Sequence, residues 1–164
     1  MKIVFVAVTC VLIVSTCSIE DNHARAANFF LFDIDSNPVV LDSLLSTGPV
    51  VMCLWALWAK ISIRELDELN VYHDEFSTMR LRVLAISQDR ERSIPNVELF
   101  VEEHQWKYIV VLDPDNIIRK LYDVLALPTT YVIDQNGNIV FTHLGYKPGD
   151  ELYIVDTLRY LFDD

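Results

Sequence analysis

The chain has 164 residues, 52% of them hydrophobic, and a formal net charge of −11. This length and apolar content are enough for one compact domain with a hydrophobic core. Because the acidic chain has no cluster of lysines and arginines interleaved with aromatics, nucleic acid is excluded as a predicted partner.

The first residues have the pattern of an export signal. A single lysine precedes an apolar run over residues 3–14, which is too short to span a bilayer and is typical of a secretory signal. Two processing sites compete. Small residues up to Ala26 suit signal peptidase, whereas the segment ending at Cys17 resembles a bacterial lipoprotein box, which would attach the chain to a membrane through a lipid on Cys17. An uncleaved short anchor is a third alternative. We therefore predict a signal over residues 1–26 and a folded domain over residues 27–164.

Predicted strands and helices alternate through the rest of the chain. The continuous apolar run at 50–57 is typical of a strand covered on both faces. A hairpin closes the alternation, and its Asn136–Gly137 step is predicted to supply the left-handed turn residues. The pattern predicts an α/β fold with a mixed central sheet, helices on both faces and a short N-terminal β extension. In chain order, the predicted elements are two extended segments around a turn at 35–38, a helical turn at 41–45, strand 50–57, helix 62–76, strand 81–87, helix 96–106, a strand from 108, helix 116–122, strands 127–134 and 138–146, and helix 149–162.

The stretch LWALWAKISIRELDEL, residues 54–69, joins the first buried strand to the first long helix. It resembles the TlpA/ResA-type thioredoxin-like family, which borders the redoxin and AhpC/TSA proteins. In that family a strand ends in F-W-A-x-W-C-x-x-C, and R-x-E-x-P-x-L follows on the helix. Further on, LPTTYVIDQNGNIV resembles the family's cis-proline strand and hairpin, with Pro128 facing the redox pair. The resemblance covers about residues 29–162 and implies a thioredoxin-like fold. The junction residues that agree with the family are Trp55, Ala56, Trp58, Glu65 and Leu69.

The chain departs from this family at the residues that carry its chemistry. Ala59 falls on the first cysteine, Ser62 on the second, and Asp67 on the helix proline. A thioredoxin-type enzyme attacks a disulfide with one thiolate and resolves the mixed disulfide with a second thiol. Ala59 has no nucleophile, and Ser62 offers a hydroxyl that can cap a helix start but cannot form a sulfur–sulfur bond. The site is therefore predicted to be degenerate, with no catalytic residue.

Two other residues of this region are interpreted as structural. Cys53 is the one cysteine certain to lie in the folded part, and its apolar strand predicts a small packing residue. The peroxiredoxin pattern, a cysteine after a proline and a threonine, does not occur. Glu65 matches an acid that tunes the cysteine pair in the family, and without that pair it is expected on the helix surface or in its first turn.

The remaining polar residues predict neither a metal site nor a cofactor. His73, His104 and His143 have no ligand spacing, and no paired acid is expected beside them. Asp113 and Asp115 are interpreted as turn residues. The segment 87–96, which contains Arg90 and Arg92, is interpreted as a solvated loop at the edge of the site.

The resemblance implies a groove beside Trp58 and Pro128 that receives an extended polypeptide through backbone hydrogen bonds, a mode that does not need the cysteines. The predicted binding surface consists of Trp58, Lys60, Leu127, Pro128 and Thr129.

The sequence predicts a redox-inactive binding or accessory protein that is monomeric. Its predicted location is extracytoplasmic, either periplasmic or anchored on the outer side of the membrane. The predicted partner is an extended polypeptide or an envelope protein. The alternative from the enzyme class is a thiol-disulfide oxidoreductase or a redoxin/peroxiredoxin-type antioxidant enzyme of the cell envelope. A purely structural role in an envelope complex is a third hypothesis.

Overall fold

The computed structural model describes residues 23–78 and 80–163. The apolar run of the predicted signal and the lipidation position at Cys17 lie outside the described residues, whereas Ala26 lies within them. Within these two ranges, no helix has both the length and the apolar character needed to cross a membrane.

Strands and helices alternate along this part of the chain, as predicted. A single 3-10 turn over Glu91–Ser93 precedes the fourth helix. The elements in chain order are β1 (Phe30–Asp33), β2 (Pro38–Val40), α1 (Leu41–Leu45), β3 (Val50–Trp55), α2 (Lys60–Val71), α3 (His73–Thr78), β4 (Arg82–Ser87), α4 (Ile94–His104), β5 (Ile109–Leu112), α5 (Ile117–Leu121), β6 (Thr129–Ile133), β7 (Ile139–Leu144) and α6 (Glu151–Asp163).

The strands form one seven-stranded sheet in the order β2-β1-β5-β4-β3-β6-β7. The central strands β3, β4 and β5 are parallel, and β1, β6 and β7 run antiparallel to their neighbours. The predicted mixed sheet and β extension are confirmed. Since β3, β4, β5 and β7 end where β6 begins, the loops that follow or precede them meet at one edge of the sheet, which we call the carboxyl edge. In open α/β sheets this is where ligands bind.

Helices cover both faces of the sheet. β3 is apolar at every position, so both of its faces must be shielded from water. All six of its residues are buried, and successive side chains point to opposite faces. Met52 and Leu54 pack in the cluster that contains residues of α1 and α5. Val51, Cys53 and Trp55 face the other way, into the clusters built with α2, α4 and α6.

The predicted helix over 62–76 is two helices. α2 begins at Lys60 and ends at Val71, and α3 begins at His73. Tyr72 between them has φ −90° and ψ 1°, outside the helical range. The Phe76 amide still donates to the Tyr72 carbonyl at 3.0 Å, so the interruption is local. Neither glycine nor proline marks the break, and for that reason the apolar spacing alone predicted one continuous helix.

The hairpin between β6 and β7 uses one left-handed residue instead of two. Gly137 has φ +86°, whereas Asn136 is not among the residues with positive φ. The Asp134 carboxylate closes the turn by accepting hydrogen bonds from the Asn138 backbone at 2.7 Å and the Asn138 side chain at 2.8 Å. The predicted tight turn is therefore present, but an aspartate side chain stabilises it where a second left-handed residue was expected.

Candidate functional site

The start of α2 holds Ala59 and Ser62, the two residues that the family resemblance aligns with a cysteine pair. Ala59 is the N-cap residue, and no side chain caps the helix there. Ser62 is fully buried, and its hydroxyl donates to the Ala59 carbonyl oxygen at 2.6 Å. The position of Ser62 at the helix start suggested that its hydroxyl would cap a backbone N–H. It does not, because it donates to a carbonyl instead. Its hydroxyl is already engaged and buried, so it presents no reactive group at the surface.

Glu65 lies directly beneath this helix start and is completely buried. The prediction that Glu65 lies on the helix surface or in its first turn is therefore wrong. The Thr130 hydroxyl, 3.0 Å from Oε1 and 3.1 Å from Oε2, donates to the carboxylate, and the Cys53 thiol lies 3.4 Å from Oε2. Burial raises the pKa of Glu65 from its ordinary 4.5 to about 7, although both hydrogen bonds favour the charged form.

Cys53 is a buried thiol inside the sheet, as predicted. It is free and has no exposed surface, and its neighbours across the sheet are Ala85 and Thr130. Burial, together with the negative charge of Glu65, raises the pKa of the thiol well above its ordinary value. A thiol that stays protonated and inaccessible is a poor nucleophile, so Cys53 does not replace the missing pair.

Asp67, at the position of the family's helix proline, holds α2 to the end of α4. Its Oδ1 lies 2.8 Å from His104 Nδ1 and accepts a hydrogen bond of 2.8 Å from Trp106 Nε1. The expectation that the histidines lack acidic partners is thus wrong, because His73 pairs with Asp74 and His143 with Asp150 as well. Two of the three pairs join residues distant enough in sequence that spacing did not reveal them. Within residues 23–78 and 80–163, no three His, Cys, Asp or Glu side chains converge as metal ligands.

The predicted binding residues all lie near the carboxyl edge, since Leu54 at the end of β3 pairs with Thr129 at the start of β6. They differ in exposure. Trp58 is 66% exposed, Lys60 is exposed and Leu127 is half-buried, whereas Pro128 and Thr129 are buried.

The chain leading into β6 leaves part of its backbone unpaired. The Leu127–Pro128 peptide bond is cis, as the family resemblance implied. The Pro128 carbonyl accepts from the Gly145 amide, and the Thr129 hydroxyl donates to the Ala126 carbonyl. Leu127, however, makes no backbone hydrogen bond to any of residues 23–78 or 80–163. Its N–H and C=O are therefore unpaired within the described part of the chain, as is the N–H of Ala126.

Trp58 does not share a cavity with Leu127, Pro128 and Thr129. It lines a cavity of about 290 Å³ together with side chains from the loop after β4 and from the region of α5. Thr129 lines a separate depression of about 170 Å³. We call the first one the arginine cavity, and its main lining residues are Trp58, Gln88, Arg90, Arg92, Asn116 and Arg119.

Two buried aspartates fix the walls of the arginine cavity. Asp89 accepts hydrogen bonds from the Leu57 amide at 2.9 Å and the Ser87 hydroxyl at 3.0 Å, which ties the loop after β4 to the loop after β3. Asp113 accepts hydrogen bonds from the backbone amides of Ile117 and Ile118 at the start of α5. The residue that was predicted to form a turn therefore also caps this helix.

The interpretation of segment 87–96 as a solvated loop did not predict the hydrogen bonds of Asp89 or the cavity that this segment helps to form. The signal present in the sequence was a pair of arginines directly after a strand end in a strongly acidic chain.

The sequence model of the AhpC/TSA family matches residues 23–142. The thiol-disulfide oxidoreductase ResA of Bacillus thuringiensis subsp. konkukian is 27% identical over 128 residues, which is 78% of this chain and 72% of that protein.

Solved structures share the fold. A Chlorobium tepidum protein assigned as the thiol:disulfide interchange protein DsbE has a TM-score of 0.77 at 21% identity, covering 87% of this chain and 98% of that one. An uncharacterized thioredoxin-like protein of Porphyromonas gingivalis has a TM-score of 0.72 at 26% identity, covering 86% of this chain and 94% of that one. The predicted thioredoxin-like fold and the predicted family resemblance are confirmed.

Proposed function

Because the chain belongs to the AhpC/TSA family but holds Ala59 and Ser62 where the resembling oxidoreductases hold cysteines, we propose that it is a redox-inactive member that binds an extended polypeptide. The binding site is the groove at the carboxyl edge, between Trp58 and the segment Leu127–Thr129. The protein acts there as a binding or accessory protein, and as a monomer.

One observation carries the loss of redox chemistry. The single cysteine among the described residues, Cys53, is fully buried within the sheet and has a raised pKa. Disulfide exchange needs an accessible thiolate and a second thiol that resolves the mixed disulfide. The start of α2 offers neither, because Ala59 has only a methyl group and the Ser62 hydroxyl is bound to the backbone.

Polypeptide binding is supported by groups that do not depend on sulfur. The unpaired backbone of Leu127 can add one strand-like contact to an extended chain, which is how peptides pair with exposed sheet edges. The exposed Trp58 ring supplies a flat apolar surface on the other side of the groove, and tryptophan is a frequent anchor of binding energy. The proposed partner is therefore an extended polypeptide or an envelope protein that presents one.

The proposed location is extracytoplasmic, either periplasmic or anchored on the outer side of the membrane. Its support is the apolar run over residues 3–14, which has the length of a secretory signal. Mass determination of the mature N-terminus distinguishes cleavage after Ala26 from lipidation of Cys17.

The function is tested by the binding of a short, flexible fluorescein-labelled peptide to the purified full chain, followed by fluorescence anisotropy. We expect Trp58→Ala to weaken this binding by about thirtyfold, the effect of losing an aromatic anchor worth about 2 kcal/mol. Tyr160→Ala is the matched control. Tyr160 is also exposed, at 69%, but it lies by Asn138 at the opposite end of the sheet. Equal affinities of the unmodified chain and the Trp58→Ala variant would refute the groove.

The enzyme alternative is favoured by the name of the relative ResA, a thiol-disulfide oxidoreductase. Insulin-disulfide reduction and peroxide consumption by the unmodified chain separate the two functions, and we expect neither reaction above background. Turnover that disappears in Cys53→Ser would establish the enzyme and end the redox-inactive proposal.

A further inference from the structure

The arginine cavity carries a positive charge that the described part of the chain does not neutralise. Within residues 23–78 and 80–163, Arg90, Arg92 and Arg119 form no ion pair. Arg119 instead donates to the carbonyls of Val124 and Leu125, which holds its guanidinium in place. One carboxylate, Asp89, also lines the cavity. Three positive groups against Asp89 in the lining and Asp113 directly behind Gln88 leave a surplus of one positive charge, in a chain whose overall charge is −11.

Gln88 is one of the residues that line this cavity, and its side chain holds a hydrogen-bond acceptor without a partner among the residues that the structure describes. It is 5% exposed, and its Nε2 donates to Asp113 Oδ2 at 3.0 Å. That bond fixes which way the amide points and leaves Oε1 buried without a partner. An unsatisfied buried acceptor is unfavourable, so a ligand that donates a hydrogen bond here would be stabilised.

The two features together define the chemistry of the ligand. It must bring an oxyanion for the arginines and an N–H or O–H donor for Gln88 Oε1. An aspartate or glutamate within a polypeptide provides both, the carboxylate from its side chain and the donor from its backbone amide. Arginine pairs with carboxylates through two parallel hydrogen bonds, which favours this match.

The surroundings favour a polypeptide over a small free anion. Asn116 and Arg119 also line a shallow depression that reaches Leu125, and Leu125 lines the next depression with Thr129. A continuous surface therefore joins the arginine cavity to the start of β6. We propose that the arginine cavity binds the carboxylate of an acidic residue in the polypeptide that the groove receives. This inference rests on the proposed polypeptide-binding function.

The test compares two fluorescein-labelled peptides that differ only in charge. One contains glutamates spaced by serine and alanine, and the other has glutamine at each glutamate position. Each is titrated with the purified full chain, and anisotropy gives Kd. We expect the acidic peptide to bind at least about tenfold more tightly, as hydrogen bonds between charged groups are about twice as strong as neutral ones. This preference should weaken as salt is added, because salt screens exposed charges.

Arg90→Gln combined with Arg92→Gln should abolish the preference for the acidic peptide. The matched control, Arg80→Gln combined with Arg82→Gln, removes the same charge from exposed residues at or before the beginning of β4, away from the carboxyl edge, and should keep it. Gln88→Met tests the acceptor. This variant should weaken the binding of both peptides to a similar degree, because both donate a backbone N–H. Unchanged affinities would refute the role of Gln88. Thermal unfolding of every variant shows that it is folded.

The outcomes separate the inference from the function on which it rests. If both peptides bind equally well and Trp58→Ala weakens both, the groove stands and the carboxylate subsite is refuted. If neither peptide binds, both proposals fail. If inorganic phosphate displaces the acidic peptide at concentrations similar to those of the peptide, the cavity is a site for free oxyanions and the polypeptide assignment is overturned.

Discussion

A chain carrying Ala59→Cys together with Ser62→Cys is expected to reduce insulin disulfides with turnover, at a rate at least about a hundredfold above that of the natural chain. The two positions are three residues apart at the start of α2, where side chains are neighbours within disulfide range. Ala59 is half-buried and Ser62 buried, so a thiol at the first position would be accessible and a thiol at the second would be sheltered, as attack and resolution require. The N-terminus of a helix lowers the pKa of a thiol placed there.

The single variants serve as controls for this reaction. Ala59→Cys alone supplies a nucleophile without a resolving thiol, so it should form one mixed disulfide per chain and then stop. Ser62→Cys alone should remain at background because its sulfur is buried. A double variant that folds, forms its own disulfide on oxidation and still fails to reduce insulin would contradict the expectation. It would show that the chain lacks more than the sulfur pair for this reaction.

The restoration experiment depends on how much of the surrounding structure the chain has kept. Glu65 is buried on the same helix, α2, and accepts a hydrogen bond from Thr130. The departures from the family pattern that bear on its chemistry are Ala59, Ser62 and Asp67. The last of these has a new structural role, because its carboxylate accepts hydrogen bonds from the region after α4.

The fold was predictable because its determinants are local or periodic. The apolar run that became β3, the alternation of strands and helices, and the closing hairpin each leave a pattern in the sequence. The break at Tyr72 was not predictable, since no glycine or proline marks it and the apolar spacing continues to Phe76. The single left-handed residue of the hairpin was missed because the hydrogen bonds from Asn138 to Asp134 are a tertiary detail of that turn.

The site was less predictable because its contacts join distant parts of the chain. Glu65 is buried by a partner, Thr130, that lies on a different element 65 positions away. The arginine cavity forms where loops after three different strands meet at the carboxyl edge, so segment 87–96 by itself resembled a solvated loop. Sequence motifs located the start of α2 to within two residues, at Ser62 against the observed Lys60, but the charge of the neighbouring cavity emerged only from the fold.

The stability of the protein is expected to fall as pH rises through neutrality because of Glu65. Its pKa in the folded state is about 7, above the ordinary 4.5, so the folded chain keeps a proton that the unfolded chain has already released. The stability linked to this proton is fully present below about pH 4.5 and is lost as pH rises through about 7. A shift of this size corresponds to about 3 kcal/mol, of which about 2 kcal/mol falls between about pH 5.5 and pH 8.5.

Glu65→Gln should remove this pH dependence, because glutamine can accept the Thr130 hydrogen bond without carrying a charge. The free energy of unfolding in urea is measured at several pH values for both chains. Subtracting one free energy from the other at each pH removes the contributions of the titrating groups that the two chains share. Glu68→Gln, at an exposed position of the same helix, is the matched control and should leave the slope of the natural chain unchanged. Parallel curves for the natural chain and Glu65→Gln would mean that Glu65 ionises like an exposed acid, which is incompatible with its burial against Cys53 and Thr130.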